Sequence, residues 1–235
     1  MWGLLTKNHF MSNGFPVKLE MLISSIRDRG CTKIEKINIS MTQFLDFSLK
    51  SNGPSKVKSV RDIKYSEYNP ATDYWKALRE AIPLFHEEKM KIDYLHDLIG
   101  KVNDKKKTNY LEAITSYEKF LKRKEEKWFD PGKSFWSFGS LSVKSSPEVG
   151  LFLKGEPHLI KLYFNKEKID KRRAKNALAL LATSTTNGSV NEAKYSILDV
   201  RKGKLHLATS DHLETDVILA LEAEATQFIH IWNSV

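Results

Sequence analysis

The chain has 235 residues, of which 41% are hydrophobic, 29% charged and 11% aromatic. This length suits one large domain or a domain with a helical extension, and the composition excludes a chain that is mainly disordered. The single cysteine, Cys31, excludes an internal disulfide and cannot form a zinc site by itself. The formal net charge of +9 at pH 7 favours association with polyanions such as nucleic acid or an anionic membrane.

Short elements are predicted in the first part of the chain. Leucine and isoleucine recur at helical spacing over residues 19–26, and residues 33–39 have the pattern of a weak edge strand. Two short helices follow, one capped by Thr42 and one by Ser55, because the intervening Asn52-Gly53-Pro54 breaks a helix.

Three longer helical patterns come next. One starts near Asn69 and should kink or divide at Pro83, and a second covers residues 92–99. The clearest lies within residues 110–122, where apolar residues form one stripe and charged residues cover the opposite face. The lysine-rich residues 104–107 before it are interpreted as a turn.

Strand patterns dominate after the break at Asp130-Pro131-Gly132. Turn signals separate three apolar runs, which predicts an antiparallel meander with the sequences WSFGSLSV, EVGLFL and HLIKLYF. Asp170 then caps a helix, and residues 195–200 and 205–207 form a hairpin. Asp211 caps a final helix, whose apolar face carries Val217, Leu221, Ala225 and Phe228.

These patterns predict an α+β protein, with a helical N-terminal half packed on an antiparallel sheet of about five strands and two further helices covering one face. Residues 1–32 are predicted to form an N-terminal extension, residues 33–130 a helical region and residues 131–235 an α+β region, with 33–235 as one cooperative unit. No apolar run is long enough to span a membrane, and the first residues lack the apolar core of a secretion signal. We therefore expect a cytoplasmic protein without a membrane partner.

The order helix, three strands, helix, strand resembles the core of the PD-(D/E)XK nuclease superfamily. The resemblance implies an acid on the second strand and an acid-x-lysine motif on the third, which together hold Mg²⁺ and orient a water molecule. It makes Glu148 the candidate catalytic and metal-binding acid and Lys161 the candidate lysine, with a helical acid such as Glu118 or Glu112 completing the set. Leu159 stands where the motif has its acid, and the alternative is that Glu148 and Lys161 are outward-facing strand residues.

A basic segment follows the third strand of the meander. Lysine and arginine at a helix start can contact phosphates together with free backbone N–H groups. Such a set is present here and predicts a nucleic-acid-binding surface: Lys166, Lys168, Lys171, Arg172, Arg173 and Lys175. A second positive group, Lys101 and residues 105–107, extends this surface, and the alternative is a solvated charged face.

The final helix has the opposite charge. Its outer face carries five acids: Asp211, Glu214, Asp216, Glu222 and Glu224. This pattern predicts a docking surface for a basic protein partner or complementary packing within a dimer. Trp232 would anchor such an interface unless it packs in the core. The residues therefore leave three functions open: a nucleic-acid-binding protein, an interaction or regulatory subunit, and a Mg²⁺-dependent nuclease.

Four segments carry a second resemblance. In them the chain is similar to a poorly characterised bacterial family of hypothetical proteins: residues 73–82 (DYWKALREAI), 147–151 (PEVGL), 160–164 (IKLYF) and 198–205 (LDVRKGKL). The resemblance covers most of the chain from about residue 33. It implies one cooperative unit and assigns no catalytic residue.

Overall fold

The structure, a computed structural model, describes residues 36–66, 73–122, 124–165, 169–188, 190 and 192–235. The helix expected over residues 19–26 and the basic residues Lys166 and Lys168 lie outside the described residues. Residues 36–235 form one compact unit.

The described residues contain seven α-helices and nine β-strands. The N-terminal elements are β1 (Ile37–Ser40), α1 (Met41–Ser48), α2 (Pro54–Tyr65), α3 (Lys76–Glu87), α4 (Asp93–Lys101) and α5 (Asp104–Leu121). Five strands follow: β2 (Glu126–Phe129), β3 (Ser134–Phe138), β4 (Leu141–Lys144), β5 (Val149–Leu153) and β6 (Glu156–Tyr163). The last elements are α6 (Lys171–Ala182), β7 (Thr185–Thr186), β8 (Lys194–Asp199), β9 (Lys204–Leu207) and α7 (Thr215–Ser234).

The strands form two sheets, and the α+β class predicted from the sequence is confirmed. The larger sheet has five strands in the order β2-β5-β6-β8-β9, and the smaller has four in the order β1-β4-β3-β7. Both sheets are mixed, because β6 runs parallel to β8 and β1 runs parallel to β4 while their other pairs are antiparallel. The structure therefore adds a second sheet to the predicted one.

The run WSFGSLSV forms the hairpin β3–β4 of the smaller sheet. Gly139 has a φ of 54°, a left-handed conformation that suits glycine and reverses the chain after Phe138. The predicted meander is instead completed by β2, which lies before the predicted start of the strands at the Asp130-Pro131-Gly132 break. Strand β2 pairs with β5, and Trp128 packs against the core of the larger sheet.

Helix starts differ from the predictions where another residue supplies the cap. Helix α1 is capped by Ser40 rather than Thr42, and the Ser40 hydroxyl accepts a hydrogen bond from the third helical residue. Residues 104–107 form the first turn of α5 rather than a separate turn, because Asn103 caps that helix. Helix α3 continues through Pro83 without a break.

Helix α6 lies between the two sheets. Its residues 177–181 are buried in succession, so the helix is covered on more than one side. One core joins α1, α6 and α7 to the smaller sheet, and a second core fills the space between the larger sheet and α3 to α5. Ile197 contributes to the first core and Leu198 to the second, because neighbouring residues of β8 face opposite sides of the larger sheet.

The final helix begins at Thr215 with Glu214 at its N-cap, and Asp211, the predicted cap, lies in a short 3-10 helix before it. Its apolar face packs as the sequence predicts. Its buried face includes Val217, Leu221, Ala225 and Phe228. Lys56 of α2 is only 1% exposed, and its ammonium contacts Glu224 at 2.5 Å and Gln227 at 2.8 Å. These contacts join α2 to α7, since a buried ammonium requires polar partners. None of the described helices combines the length and apolar character needed to cross a membrane.

Replacing Gly150 tests the close approach of β2 to β5. A Cβ there would overlap the carbonyl oxygen of Phe129 and lie 2.8 Å from its ring. Gly150→Ala must therefore separate β2 from β5. We expect a loss of about 2 kcal/mol in unfolding free energy, measured by chemical denaturation.

The matched control is Gly100→Ala in α4, where a Cβ meets nothing within 4 Å. That variant should keep or gain stability, by up to about 1 kcal/mol. Equal stabilities of the two variants would contradict the described pairing of β2 with β5.

Candidate functional site

Two of the three candidate catalytic residues meet at the start of β5. The Glu148 carboxylate contacts the Lys161 ammonium at 2.6 Å. The same ammonium donates to the carbonyl oxygen of Ser146 at 2.8 Å, and the second Glu148 oxygen accepts from the Leu162 N–H at 2.9 Å. The contact follows from the antiparallel pairing of β5 with β6, which places Val149 opposite Ile160.

These contacts give Glu148 a structural role. Each of its carboxylate oxygens already accepts a hydrogen bond, one from an ammonium and one from the backbone. Hard divalent ions require several oxygen ligands, and no group of three or more His, Cys, Asp or Glu side chains in the described part of the chain is arranged to hold a metal. The donor set around Glu148 does not fit Mg²⁺, and the pair joins the β4–β5 connection to β6.

The ion pair lines a cavity of about 680 Å³, which we call the charged cleft. Its walls are formed by the start of α1, the β4–β5 connection, the end of β6, and α3 with the residue Asp73. Six charged side chains line it: Asp73, Arg79, Glu80, Lys144, Glu148 and Lys161. Arg79 forms an ion pair with Asp73, whereas Lys144 is exposed at the end of β4.

Asp73, Arg79, Glu80 and Lys144 belong to no sequence motif that assigns them to a site. Three of the four segments compared in the second resemblance contribute lining residues to the charged cleft: residues 73–82, 147–151 and 160–164. The fourth segment packs nearby through Arg201, whose guanidinium lies 5.9 Å from the centre of the Trp75 ring. Segments that are distant in sequence thus come together around α3.

The third candidate catalytic residue, Glu118, lies elsewhere. Tyr117 and Phe120 are buried in the core beneath α5, so the intervening Glu118 faces outward, where its carboxylate is 3.4 Å from His96. The alternative helical acid, Glu112, contacts Arg201 at 3.2 Å. Neither glutamate lines the charged cleft, and the described helical glutamate that does so is Glu80 of α3.

The described part of the basic segment forms the start of α6. Lys171 and Arg172 are exposed. Arg173 contacts Asp46 at 2.8 Å, and Lys175 approaches Glu214 at 3.8 Å. Two of the four described cations are therefore paired with carboxylates, which leaves Lys171 and Arg172 as the exposed positive charges of this helix start.

The backbone N–H groups at the N-terminus of α6 are also partly hydrogen-bonded. Asp170 caps the helix as predicted, and its carboxylate accepts a hydrogen bond from the Arg173 N–H at 2.7 Å. A phosphate at this position would meet a carboxylate, so the side chains Lys171 and Arg172 rather than the backbone N–H groups are the favourable contacts.

Helix α1 connects the start of α6 to the charged cleft. Met41 and Thr42 in its first turn line the cleft, and Asp46 binds Arg173. Thr42 and Asp46 are separated by about 6 Å along the helix axis. The Arg173–Asp46 contact therefore joins the start of α6 to α1, the helix whose first turn lines the cleft.

A second basic group adjoins the α3 wall. Lys76, Lys101 and Lys106 line a cavity of about 420 Å³ that shares Asp73 and Glu80 with the charged cleft. Lys101 and Lys106 belong to the second positive group found in the sequence. These two lysines therefore lie in a cavity that adjoins the charged cleft.

Trp232 packs against the core rather than serving as an exposed anchor for a partner. Its ring lies 6.0 Å from that of Phe228, and the Lys64 ammonium lies 5.6 Å from it. The indole Nε1 is buried and has no hydrogen-bond partner among the described residues. A docking surface anchored by an exposed Trp232 therefore has no geometric support.

A buried titratable cluster lies apart from the cleft, where α3, α5 and β2 meet. His86 is 6% exposed, and its Nε2 lies 2.6 Å from the Tyr117 hydroxyl while its Nδ1 lies 3.7 Å from the Glu126 carboxylate. Burial lowers the pKa of His86 to about 4 and raises the pKa of Glu126 to about 6. Both shifts disfavour the charged forms.

The His86 pKa predicts a loss of stability in acid. A histidine in the unfolded chain takes up a proton near pH 6.5, whereas folded His86 does so near pH 4. Lowering the pH between these values therefore favours unfolding, by at most about 3 kcal/mol. Glu126 opposes this effect between pH 6 and pH 4.5, because its pKa is higher in the folded state.

We expect His86→Gln to lose less stability than the parent protein when the pH falls from about 7 to about 4.5, as measured by denaturation at each pH. His96→Gln is the matched control, because His96 is partly exposed on α4. The same acid-induced loss in the parent and in His86→Gln would contradict a buried neutral His86.

The chain has no significant match to a protein-family model, to a curated protein or to a solved structure. Its function must therefore be inferred from the charged cleft and the groups beside it. Around the cleft and the adjoining cavity, six cations accompany three carboxylates: Lys76, Arg79, Lys101, Lys106, Lys144 and Lys161, with Asp73, Glu80 and Glu148.

Proposed function

We propose that the protein binds nucleic acid along the charged cleft, in the cytoplasm and without cleaving it. The observation that supports this proposal most is the excess of cations along two adjoining cavities that share Asp73 and Glu80. Lys171 and Arg172 add exposed positive charge at the start of α6, which the Arg173–Asp46 contact joins to α1. Cations gathered along a groove suit a polyanion, because each phosphate contact releases condensed counterions.

We further propose that the cleft belongs to a degenerate nuclease-like core. Helix α5 precedes the antiparallel strands β2, β5 and β6, and α6 leads to β8, which is parallel to β6. This order resembles the PD-(D/E)XK superfamily. Leu159, at the position of the missing acid, is 4% exposed, which favours binding without Mg²⁺-dependent cleavage.

Salt-dependent binding tests the proposal. Fluorescence anisotropy with a labelled oligonucleotide should give an affinity that falls as salt rises, because counterions are released on binding. The variants Lys144→Gln and Lys171→Gln/Arg172→Gln should weaken binding. Each lost phosphate contact should reduce the slope of log binding constant against log salt concentration by about 1.

The control for these variants is Lys119→Gln, which removes one exposed charge from α5 outside the charged cleft. It should leave the slope unchanged. A flat affinity between low and moderate salt, or an equal effect of Lys119→Gln, would contradict binding at the cleft.

Mg²⁺-dependent cleavage is the alternative that the proposal excludes, because the donor set around Glu148 does not fit Mg²⁺. We expect neither the parent protein nor Glu148→Ala to cut an oligonucleotide above background with Mg²⁺ or Mn²⁺, as followed by gel electrophoresis. Circular dichroism confirms that each variant is folded. Cleavage by the parent and by Glu118→Ala that disappears in Glu148→Ala would establish a nuclease and refute the non-catalytic proposal.

A further inference from the structure

We infer that the ligand is an extended nucleic-acid strand whose phosphates contact both sides of the charged cleft at once. This inference rests on the proposed function and specifies the class of ligand. It excludes a mononucleotide or a short phosphate-containing molecule as the preferred occupant. Two groups of cations outside the lining of the cleft carry the argument, and the acids Asp73 and Glu80 line both the cleft and the cavity of the first group.

The first group, the lysine flank, consists of Lys76, Lys101 and Lys106 beside the α3 wall. The Lys106 ammonium donates to the Tyr74 carbonyl at 3.2 Å and lies 4.9 Å from the centre of the Tyr74 ring. These contacts hold one cation in position. Lys101 is exposed at the end of α4, and no ion pair involves it among the described residues.

The second group, the helix flank, consists of Lys171 and Arg172 at the start of α6, which the Arg173–Asp46 contact joins to α1. Both are exposed, while the neighbouring Arg173 is held by Asp46 of α1. Lys144 lines the cleft itself, at the end of β4 and opposite Ser40 in the parallel pairing with β1. A strand that crosses the cleft from one flank to the other would therefore meet Lys144 on its way.

The centre of the cleft is less favourable to an isolated phosphate. Its cations Arg79 and Lys161 already form ion pairs with Asp73 and Glu148, and Glu80 adds a further carboxylate. A small anion there would be repelled by these acids. The favourable contacts lie at the two flanks, and a ligand gains both only if its length spans the cleft.

Simultaneous contact has a measurable consequence. Once one flank is occupied, contact with the second flank becomes intramolecular and takes place at a high effective concentration. Affinity should therefore rise abruptly when the strand becomes long enough to reach both flanks. A strand held at one flank alone would instead gain affinity gradually as the number of equivalent binding positions increases.

A length series measures this rise. Anisotropy titrations at fixed low salt would use single-stranded oligothymidylates from roughly 4 to roughly 30 nucleotides. We expect the dissociation constant to fall by at least about tenfold over a few added nucleotides and then to level off.

We call this abrupt fall in the dissociation constant the length step. Two variants should remove it, because each weakens one flank: Lys101→Gln/Lys106→Gln and Lys171→Gln/Arg172→Gln. Lys101→Gln alone should reduce the step, and it avoids any change to the packing of Tyr74. The control variant, Lys119→Gln/Lys122→Gln, removes two exposed charges from the far end of α5 and should keep the full step.

The outcomes separate this inference from the proposed function. Salt-dependent binding with only a gradual effect of length would overturn two-flank contact and leave nucleic-acid binding intact. A full step that survives in both flank variants would also overturn it. No binding at any length would refute the proposed function itself.

Discussion

The burial of helix α6 between the two sheets determines where the charged groups of the cleft lie. Residues 177–181 are buried in succession, and exposing a single leucine of this set would cost about 2 kcal/mol. One side of α6 packs on the larger sheet, where β6 and β8 are parallel, and the other packs with α1 and the smaller sheet. The end of β6 carries Lys161 and the start of α1 forms a cleft wall, so this packing brings the two together.

Ion pairing within the cleft separates its structural charges from those available to a ligand. Glu148 and Lys161 join neighbouring strands, and Asp73 and Arg79 form a pair beside α3. Their charges largely neutralise one another. The groups at the edges, in contrast, contribute positive charge with fewer acidic partners. A surface of this kind favours a long polyanion over a small anion, because the attractive contacts are spread along the ligand.

Local patterns in the sequence predicted the helices and strands that depend mainly on residues close to one another in the sequence. The stripe of α5, the Asp170 cap of α6 and the β8–β9 hairpin were all found in this way. The second sheet was not predicted, because the turn at Gly139 lies within a run that was predicted as a single strand and because β2 begins in a charged segment. Glu148 and Lys161 are in contact because adjacent antiparallel strands fix their proximity. The sequence did not identify Arg79 and Glu80 as cleft residues, because only the tertiary packing of α3 brings them there. Glu118 does not line the cleft, because it lies on the outward face of α5 beside His96.

Hydrogen–deuterium exchange with and without a saturating oligonucleotide tests most directly whether the charged cleft is the binding surface. If the oligonucleotide binds at the charged cleft, backbone amides in residues 73–80, 101–106 and 144–148 should exchange more slowly, with little change in α7. Slower exchange confined to α7, or no change in these three segments under conditions where the oligonucleotide is bound, would contradict it.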